Sequence, residues 1–179
     1  MKKIIITTII ICLLILLMGC YSHKQHVCPA TSLIIDKSSF PKGTSQDEIN
    51  SPVADEPTNS AFRQLYLIDS GASQFVFVYS SEKRTSQKYN ETIMDIFMVS
   101  KTSHSWKVPD LEFTNSADES IYACGYLFDQ YQCRWVSRYK RYLVELGMDI
   151  TSNGYSLEDF KNAILIIDNK LSNCLKYDQ

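Results

Sequence analysis

The chain has 179 residues, with 18 Lys and Arg against 20 Asp and Glu, and a formal net charge of −2. Hydrophobic residues make up 45% and charged residues 21%, which is typical of a folded globular protein and excludes wholesale disorder or a collagen-like chain. The near-neutral charge lacks the basic footprint of a nucleic-acid-binding protein. We therefore expect about one globular domain and no nucleic acid partner.

The first twenty residues predict export. Lys2 and Lys3 precede the uncharged, mostly apolar run Ile4 to Met18. This pattern is typical of a secretory signal peptide, and the run is short for a membrane-spanning helix. It ends in Leu17-Met18-Gly19-Cys20, which resembles the lipobox of bacterial lipoproteins.

The lipobox resemblance implies a lipid anchor. Residues 1–19 would be the signal peptide, and after cleavage Cys20 would carry a diacylglyceryl group and a further acyl chain such as palmitate. Each buried CH₂ contributes about 0.8 kcal/mol, so two or three chains would hold the protein on a bacterial cell membrane or outer membrane, outside the cytoplasm. Residues 20–27 would form a tether and residues 28–179 one domain. The alternatives are an uncleaved signal anchor and secretion without a lipid.

The cysteines are consistent with export. Six are present, of which one lies in the leader and Cys20 would carry lipid. In an exported protein the other four are expected to form two disulfides: Cys28, Cys124, Cys133 and Cys174. A hairpin with residues 127–130 as its loop places Cys124 opposite Cys133, within disulfide reach. Cys28 and Cys174 would then connect the start of the domain to its last helix. Left reduced, the four thiols would be small buried hydrophobic groups.

A metal site near the tether is the competing interpretation of this region. His23, His26 and Cys28 fall within six residues, close to Cys20. Their spacing matches no closed zinc motif, and a lipidated Cys20 would not be a thiolate ligand. We therefore predict no metal and no cofactor.

In the first half of the domain, Leu33 to Ile35 is a short apolar run that predicts a strand. The polar stretch Pro41 to Asn59 predicts a long surface loop. Alternation in Phe62 to Ile68, followed by the apolar run Phe75 to Tyr79, predicts a β-hairpin. Apolar spacing over residues 85–100 predicts a helix, capped by Thr85 or Ser86.

In the second half, residues 121–126 and 131–142 predict the two cysteine-bearing strands. The second strand would continue to Ile150 after a bulge or bend near residues 139–141. Ser156 and Asp159 predict the start of the last helix. Its apolar residues repeat at steps of three and four: Leu157, Phe160, Ile164, Ile167, Leu171 and Cys174.

This element order predicts an α+β fold, with an antiparallel sheet of about five strands, two amphipathic helices on one face, and two disulfides. The outline resembles PsbP/Mog1-like α+β domains, some of which are lipid-anchored in bacteria. The resemblance is one of element order alone and implies no functional residues.

The chain contains no HExxH, GxSxG, P-loop or GxGxxG motif, and we predict no catalytic residue. One cluster stands out, in the run from Arg134 to Tyr142, where four cations interleave with three aromatics. Arg, Tyr and Trp are enriched at binding hot spots, so the candidate binding residues are Arg134, Trp135, Arg138, Tyr139 and Arg141. The alternative is an exposed strand face on which arginine stems cover aromatic rings.

Together these observations favour a lipid-anchored cell-envelope protein that serves as a non-enzymatic binding or assembly module. Its partner would be another envelope protein or a glycan. One alternative is an immunity or inhibitor lipoprotein that acts through the loop Pro41 to Asn59. Another is an envelope hydrolase with an unrecognised site, which would need a pocket of convergent titratable groups.

Overall fold

The computed structural model describes residues 27–51, 57–98, 104–127 and 129–176. The predicted lipobox with Cys20, and the pair His23 and His26, lie outside the described residues. Within those ranges, no helix combines the length and the apolar character needed to cross a membrane.

The described residues form seven strands and three α-helices. The strands are β1 (Ser45–Gln46), β2 (Asn59–Leu67), β3 (Ser70–Val78), β4 (His104–Lys107), β5 (Glu119–Leu127), β6 (Gln130–Tyr139) and β7 (Tyr142–Asp149). The helices are α1 (Ala30–Leu33), α2 (Glu82–Ile93) and α3 (Leu157–Lys176). A 3₁₀ turn at Lys37–Ser39 follows α1, and a π-helical turn at Met94–Met98 extends α2.

All seven strands pair antiparallel in one sheet, in the order β1-β2-β3-β7-β6-β5-β4. The sheet therefore consists of two meanders, β1 to β3 and β4 to β7, that meet where β3 pairs with β7. The α+β class and the antiparallel sheet are confirmed. The predicted number of about five strands is too low, because β1 and β4 add short edge strands and β7 is separate from β6.

One face of the sheet packs against α3, and we call it the α3 face. Alternate residues of the central strands point to this side, among them Trp135, Tyr139 and Val144, all at most 1% exposed. The predicted helix stripe meets them, and Phe160, Ile164, Ile167 and Leu171 are all fully buried. Burying one such side chain contributes about 1.5–3 kcal/mol. Because most of the buried apolar side chains lie on this face, it holds most of the core.

The opposite face packs against α2, and we call it the α2 face. Val136 and Leu143, which point away from α3, form a second apolar cluster with Tyr79 and Tyr89. The prediction that both amphipathic helices lie on one face is therefore wrong. The physical reason is that β6 and β7 carry apolar residues on both faces, and a central strand of that kind needs cover on both sides.

Both predicted disulfides are confirmed, with the predicted pairing. Cys124 lies directly opposite Cys133 in the hairpin register, with their Cα atoms 4.0 Å apart. Cys28 pairs with Cys174, across 6.1 Å between Cα atoms and 146 residues of sequence. The backbone N–H of Cys28 also donates to the Tyr142 hydroxyl at 2.9 Å, which fastens the start of the domain to the sheet.

The hairpin of β2 and β3 and the last helix are confirmed. Ser156 Oγ accepts from the backbone N–H of Asp159 at 3.1 Å, and the Asp159 carboxylate accepts from the N–H of Ser156 at 2.8 Å, which is the expected cap. The predicted bend near residues 139–141 is instead a tight turn, in which Lys140 has a φ of 52°.

Three local predictions are wrong. The predicted strand at Leu33 to Ile35 is the end of α1 and an extended segment, because buried Gln74 takes the place of a strand partner. Gln74 accepts from the N–H of Ile35 at 2.8 Å and donates to the carbonyl of Leu33 at 3.1 Å.

The segment Pro41 to Asn59, predicted as a loop, is a sheet edge over part of its length. Ser45–Gln46 forms β1 against β2, and Asn50 exchanges two backbone hydrogen bonds with Phe62. The helix predicted over residues 85–100 begins earlier, at Glu82, because Ser81 supplies the cap by accepting from the N–H of Arg84 at 3.2 Å.

Candidate functional site

The cluster of cations and aromatics singled out in the sequence lies on β6 and the turn after it, and strand alternation divides it between two faces. Trp135 and Tyr139 point to the α3 face, where they are 0% and 1% exposed. The Trp135 indole donates to Ser120 Oγ, and the Tyr139 hydroxyl donates to Asp168 Oδ1, both at 2.8 Å. These two aromatic rings are core residues with internal partners, so the predicted surface does not form as one exposed patch.

Two of the candidate cations are occupied within the chain. Arg138 pairs with Glu119, with Nε 2.5 Å from Oε2, and its Nη1 lies 3.3 Å from Asp118 Oδ2. Arg141 donates from Nε to the carbonyl oxygen of Tyr79 at 2.7 Å. Both arginines therefore fasten strand ends and turns.

Arg134 differs from both of these arginines. It lies on the α2 face, directly opposite Gly147 of β7, and its guanidinium lies across that glycine. A Cβ at position 147 would come within 2.5 Å of Nη1, 2.9 Å of Cζ and 3.2 Å of Nε, so the guanidinium needs glycine beneath it. Its Nη2 donates to Gln132 Oε1 at 3.1 Å. Among the described residues, no carboxylate lies within 4 Å of Arg134 to form an ion pair.

Two acids lie near Arg134 on β7. Asp149 stands opposite Gln132, and its Oδ2 accepts from the backbone N–H of Gly71 at 3.0 Å. Glu145 stands between Phe75 of β3 and Val136 of β6. Burial among these apolar neighbours raises the pKa of Glu145 to about 7, and the positive charge of Arg134 partly opposes that rise.

Burial also acts on the guanidinium. It lowers the pKa of Arg134 from its ordinary value, and the nearby charges of Asp149 and Glu145 oppose the change. A cation that has lost much of its water without a direct counter-ion is costly in free energy.

Arg134 lines an open cavity of about 190 Å³, which we call the Arg134 cleft. Its lining comes from four neighbouring strands and includes Gln64 and Ser73, Gln132 and Arg134, and Gly147 and Asp149. Ser73, Gly147 and Arg134 lie side by side on β3, β7 and β6. Ser73 and Gly147 are small and form the floor of the cleft, and the longer side chain of Arg134 lies over Gly147. The cleft holds several times the volume of about 30 Å³ that one water occupies in the liquid.

Three phenylalanines, Phe62, Phe75 and Phe77, form a ladder beside the cleft, on the side nearer to α2. Phe62 and Phe75 are opposite each other in the row of paired residues that, on this face, is next to the row that contains Ser73 and Gly147. Phe62 and Phe75 stack with ring centroids 4.2 Å apart, and Phe75 and Phe77 follow at 5.9 Å. Phe77 packs on the cluster beneath α2, whereas Phe62 and Phe75 stay partly exposed. Helix α2 and this ladder therefore cover one end of the face and leave the other end open.

The site combines donors and acceptors that can hold a small polar ligand. The guanidinium of Arg134 supplies donors, the amides of Gln64 and Gln132 supply both kinds of group, and Asp149 supplies a negative charge. Among the described residues, no cluster of three or more His, Cys, Asp or Glu side chains could hold a metal ion.

Sequence reasoning missed most of this cleft. Glu145, Gly147 and Asp149 were visible as the residues that alternate with the apolar side of β7, an acid-glycine-acid pattern on a strand that proves central. Gln64 and Ser73 carried no comparable pattern.

No protein-family model and no curated protein matches this chain. The chemistry of the Arg134 cleft therefore has to indicate the function.

Proposed function

We propose that this protein is a lipid-anchored cell-envelope protein that acts as a non-enzymatic binding module, with the Arg134 cleft as its ligand site. The observation that carries the proposal is the partly buried guanidinium of Arg134, which faces a polar cleft without an ion-pair partner among the described residues. Natural proteins rarely keep such a cation unless a ligand or a network compensates for its lost hydration.

Two features support the envelope location. The lipobox Leu17-Met18-Gly19-Cys20 supplies the anchor position, and two disulfides suit an oxidising compartment. The tether of residues 20–27 reaches at most about 28 Å, so the domain would stay close to the bilayer surface.

The two alternatives have less support. An inhibitor that acts through the segment Pro41 to Asn59 needs a projecting loop, yet β1 and Asn50 hold part of that segment against β2. A hydrolase needs an acid and a base that converge on a substrate, yet Glu145 and Asp149 lie four residues apart on β7, about 13 Å along the strand, and Glu145 lies between Phe75 and Val136.

The anchor is tested by Cys20→Ala in the native cell. We expect the wild type in the membrane fraction, with a mass that includes diacylglyceryl and acyl groups on Cys20. The variant should leave that fraction. A native polypeptide that begins at Met1 and carries no acyl mass would contradict the proposal.

The binding site is tested by a thermal-shift screen of polar envelope metabolites and glycans on the full chain in detergent. A ligand should raise the Tm of the wild type and leave the Tm of Arg134→Gln unchanged. Lys140→Gln is the matched control, because it removes one exposed positive charge on the turn after β6. Equal stabilisation of Arg134→Gln and the wild type would contradict the site.

A further inference from the structure

The donors of Arg134 are only partly used inside the chain. A guanidinium carries five N–H donors in a planar fork. In Arg134 one of them donates to Gln132, at 3.1 Å, and the guanidinium lies over Gly147, so these two contacts hold the fork in place. A fork held in this way can receive a carboxylate through two parallel hydrogen bonds.

The cleft also contains a negative charge that the guanidinium does not neutralise directly. Asp149 lines the same cavity and influences Arg134 electrostatically, but it does not approach within ion-pair distance. One Asp149 oxygen accepts from Gly71, and no described residue donates to the other. The cavity therefore presents a positive group and a negative group that are close but separate.

Charge complementarity follows from this pair. A polyanion would meet Asp149, whereas a simple cation would meet Arg134. A small molecule that carries both charges on neighbouring atoms satisfies each group at once. The amides of Gln64 and Gln132 and the hydroxyl of Ser73 remain for its polar substituents.

Resting on the function proposed above, we infer that the Arg134 cleft binds a small zwitterion, a free α-amino acid. Its carboxylate is held by the fork of Arg134, and its ammonium group lies against Asp149. The cavity of about 190 Å³ admits a ligand of this size and opens to solvent, so the side chain of the amino acid extends outward.

The test measures binding to the full chain in detergent by titration calorimetry, with the protein amino acids and D-alanine as probes. We expect at least one of them to bind the wild type and the Lys140→Gln control equally. Its methyl ester, which lacks the carboxylate, and its N-acetyl form, which lacks the ammonium group, should each bind at least about tenfold more weakly.

Two variants assign the ends of the ligand. Arg134→Gln should weaken the amino acid at least about tenfold and have no further effect on the methyl ester. Asp149→Asn keeps an oxygen for the N–H of Gly71, so the fold should hold, and it should weaken the amino acid without further effect on the N-acetyl form.

Three results would overturn the inference: no amino acid binds, the N-acetyl form binds as well as its parent, or Asp149→Asn leaves affinity unchanged. If carboxylates bind without an amino group and lose affinity in Arg134→Gln, the zwitterion inference fails and the binding function stands. If a ligand binds Arg134→Gln as tightly as the wild type, the proposed site fails as well.

Discussion

The two faces of the sheet differ in how far they are closed to solvent. On the α3 face, the buried amide of Gln74 bonds to Leu33 and Ile35, and the Trp135 indole and the Tyr139 hydroxyl each have a partner in the chain. On the α2 face, Arg134 has one hydrogen bond and no ion pair among the described residues. Tyr155 Oη and Arg63 Nε, on the α3 face, are also buried without a hydrogen-bond partner among the described residues. The difference between the faces therefore lies in Arg134, a charged group beside an open cleft, and we take that group as the one left for a ligand.

The lengths of the two helices account for the asymmetry. Helix α3 has 20 residues and buries six of them, whereas α2 has 12 residues and buries Thr85 and Tyr89. The shorter helix covers the rows around Leu143 and Val136, and the row that contains Gly147 and Arg134 stays open.

The largest expected effect concerns the long disulfide beside the α3 face. Replacing both Cys28 and Cys174 with Ser should destabilise the domain by roughly 5 kcal/mol, because this bridge closes a separation of 146 residues in the unfolded chain. The matched pair is Cys124→Ser with Cys133→Ser, where a separation of 9 residues gives roughly 2.5 kcal/mol. Thermal and urea unfolding would measure both. A larger loss from the short bridge would contradict this account.

Truncating the same residue type on each face compares them directly. Phe160→Ala on the α3 face should cost about 3–5 kcal/mol, because Phe160 is fully buried and its loss leaves a cavity. Phe62→Ala on the α2 face should cost less, because Phe62 is partly exposed and mainly loses its stacking on Phe75. Equal losses in urea unfolding would show that the faces share the core equally.

Glu145 gives the α2 face a dependence on pH. Its folded pKa of about 7 lies above the unfolded value of about 4.5, so its contribution is fully present below pH 4.5 and is lost as the pH rises to 7. Glu145→Gln should therefore remove a decline in the free energy of unfolding of up to roughly 3 kcal/mol between pH 4.5 and 8.

Urea unfolding at the two pH values would measure that decline. Glu48→Gln, at an exposed position near β1, removes the same charge and should leave the decline in place. An identical decline in the Glu145 variant and the wild type would rule out Glu145 as its source.

The smallest change tests the geometry of the guanidinium. Gly147→Ala keeps every charge but places a Cβ where the Arg134 guanidinium lies, so the arginine must move away from the floor of the cleft. We expect ligand affinity to fall while the fold persists, because the displaced atoms are the end of a flexible side chain. Ser73→Ala, on the same row, should affect affinity less. Unchanged affinity in Gly147→Ala would show that the position of the guanidinium does not matter.

The spacing of residues along the sequence predicted a helix and a hairpin correctly. The apolar repeat from Leu157 to Cys174 gave helix α3, and the spacing around residues 127–130 gave the hairpin register that pairs Cys124 with Cys133. Which face α2 covers depends on the long connection from β3 to β4 that contains it, and short-range periodicity carries no information about that connection.

The candidate site depended even more on distant pairing. Trp135 and Tyr139 are buried because β6 is a central strand, which follows from pairing with both β5 and β7. The cleft forms because Ser73 of β3 lies beside Gly147 of β7, and Gly147 beside Arg134 of β6. Of the predicted binding residues, Arg134 lines this cleft.

The most direct test of the account is Arg134→Met, which replaces the arginine with an unbranched apolar side chain and so removes the charge. If the guanidinium is retained for a ligand, this variant should unfold at the same or a higher Tm than the wild type and should no longer be stabilised by any ligand found in the screen. A variant that loses stability and still binds that ligand would show that Arg134 is structural and that the cleft is not the binding site.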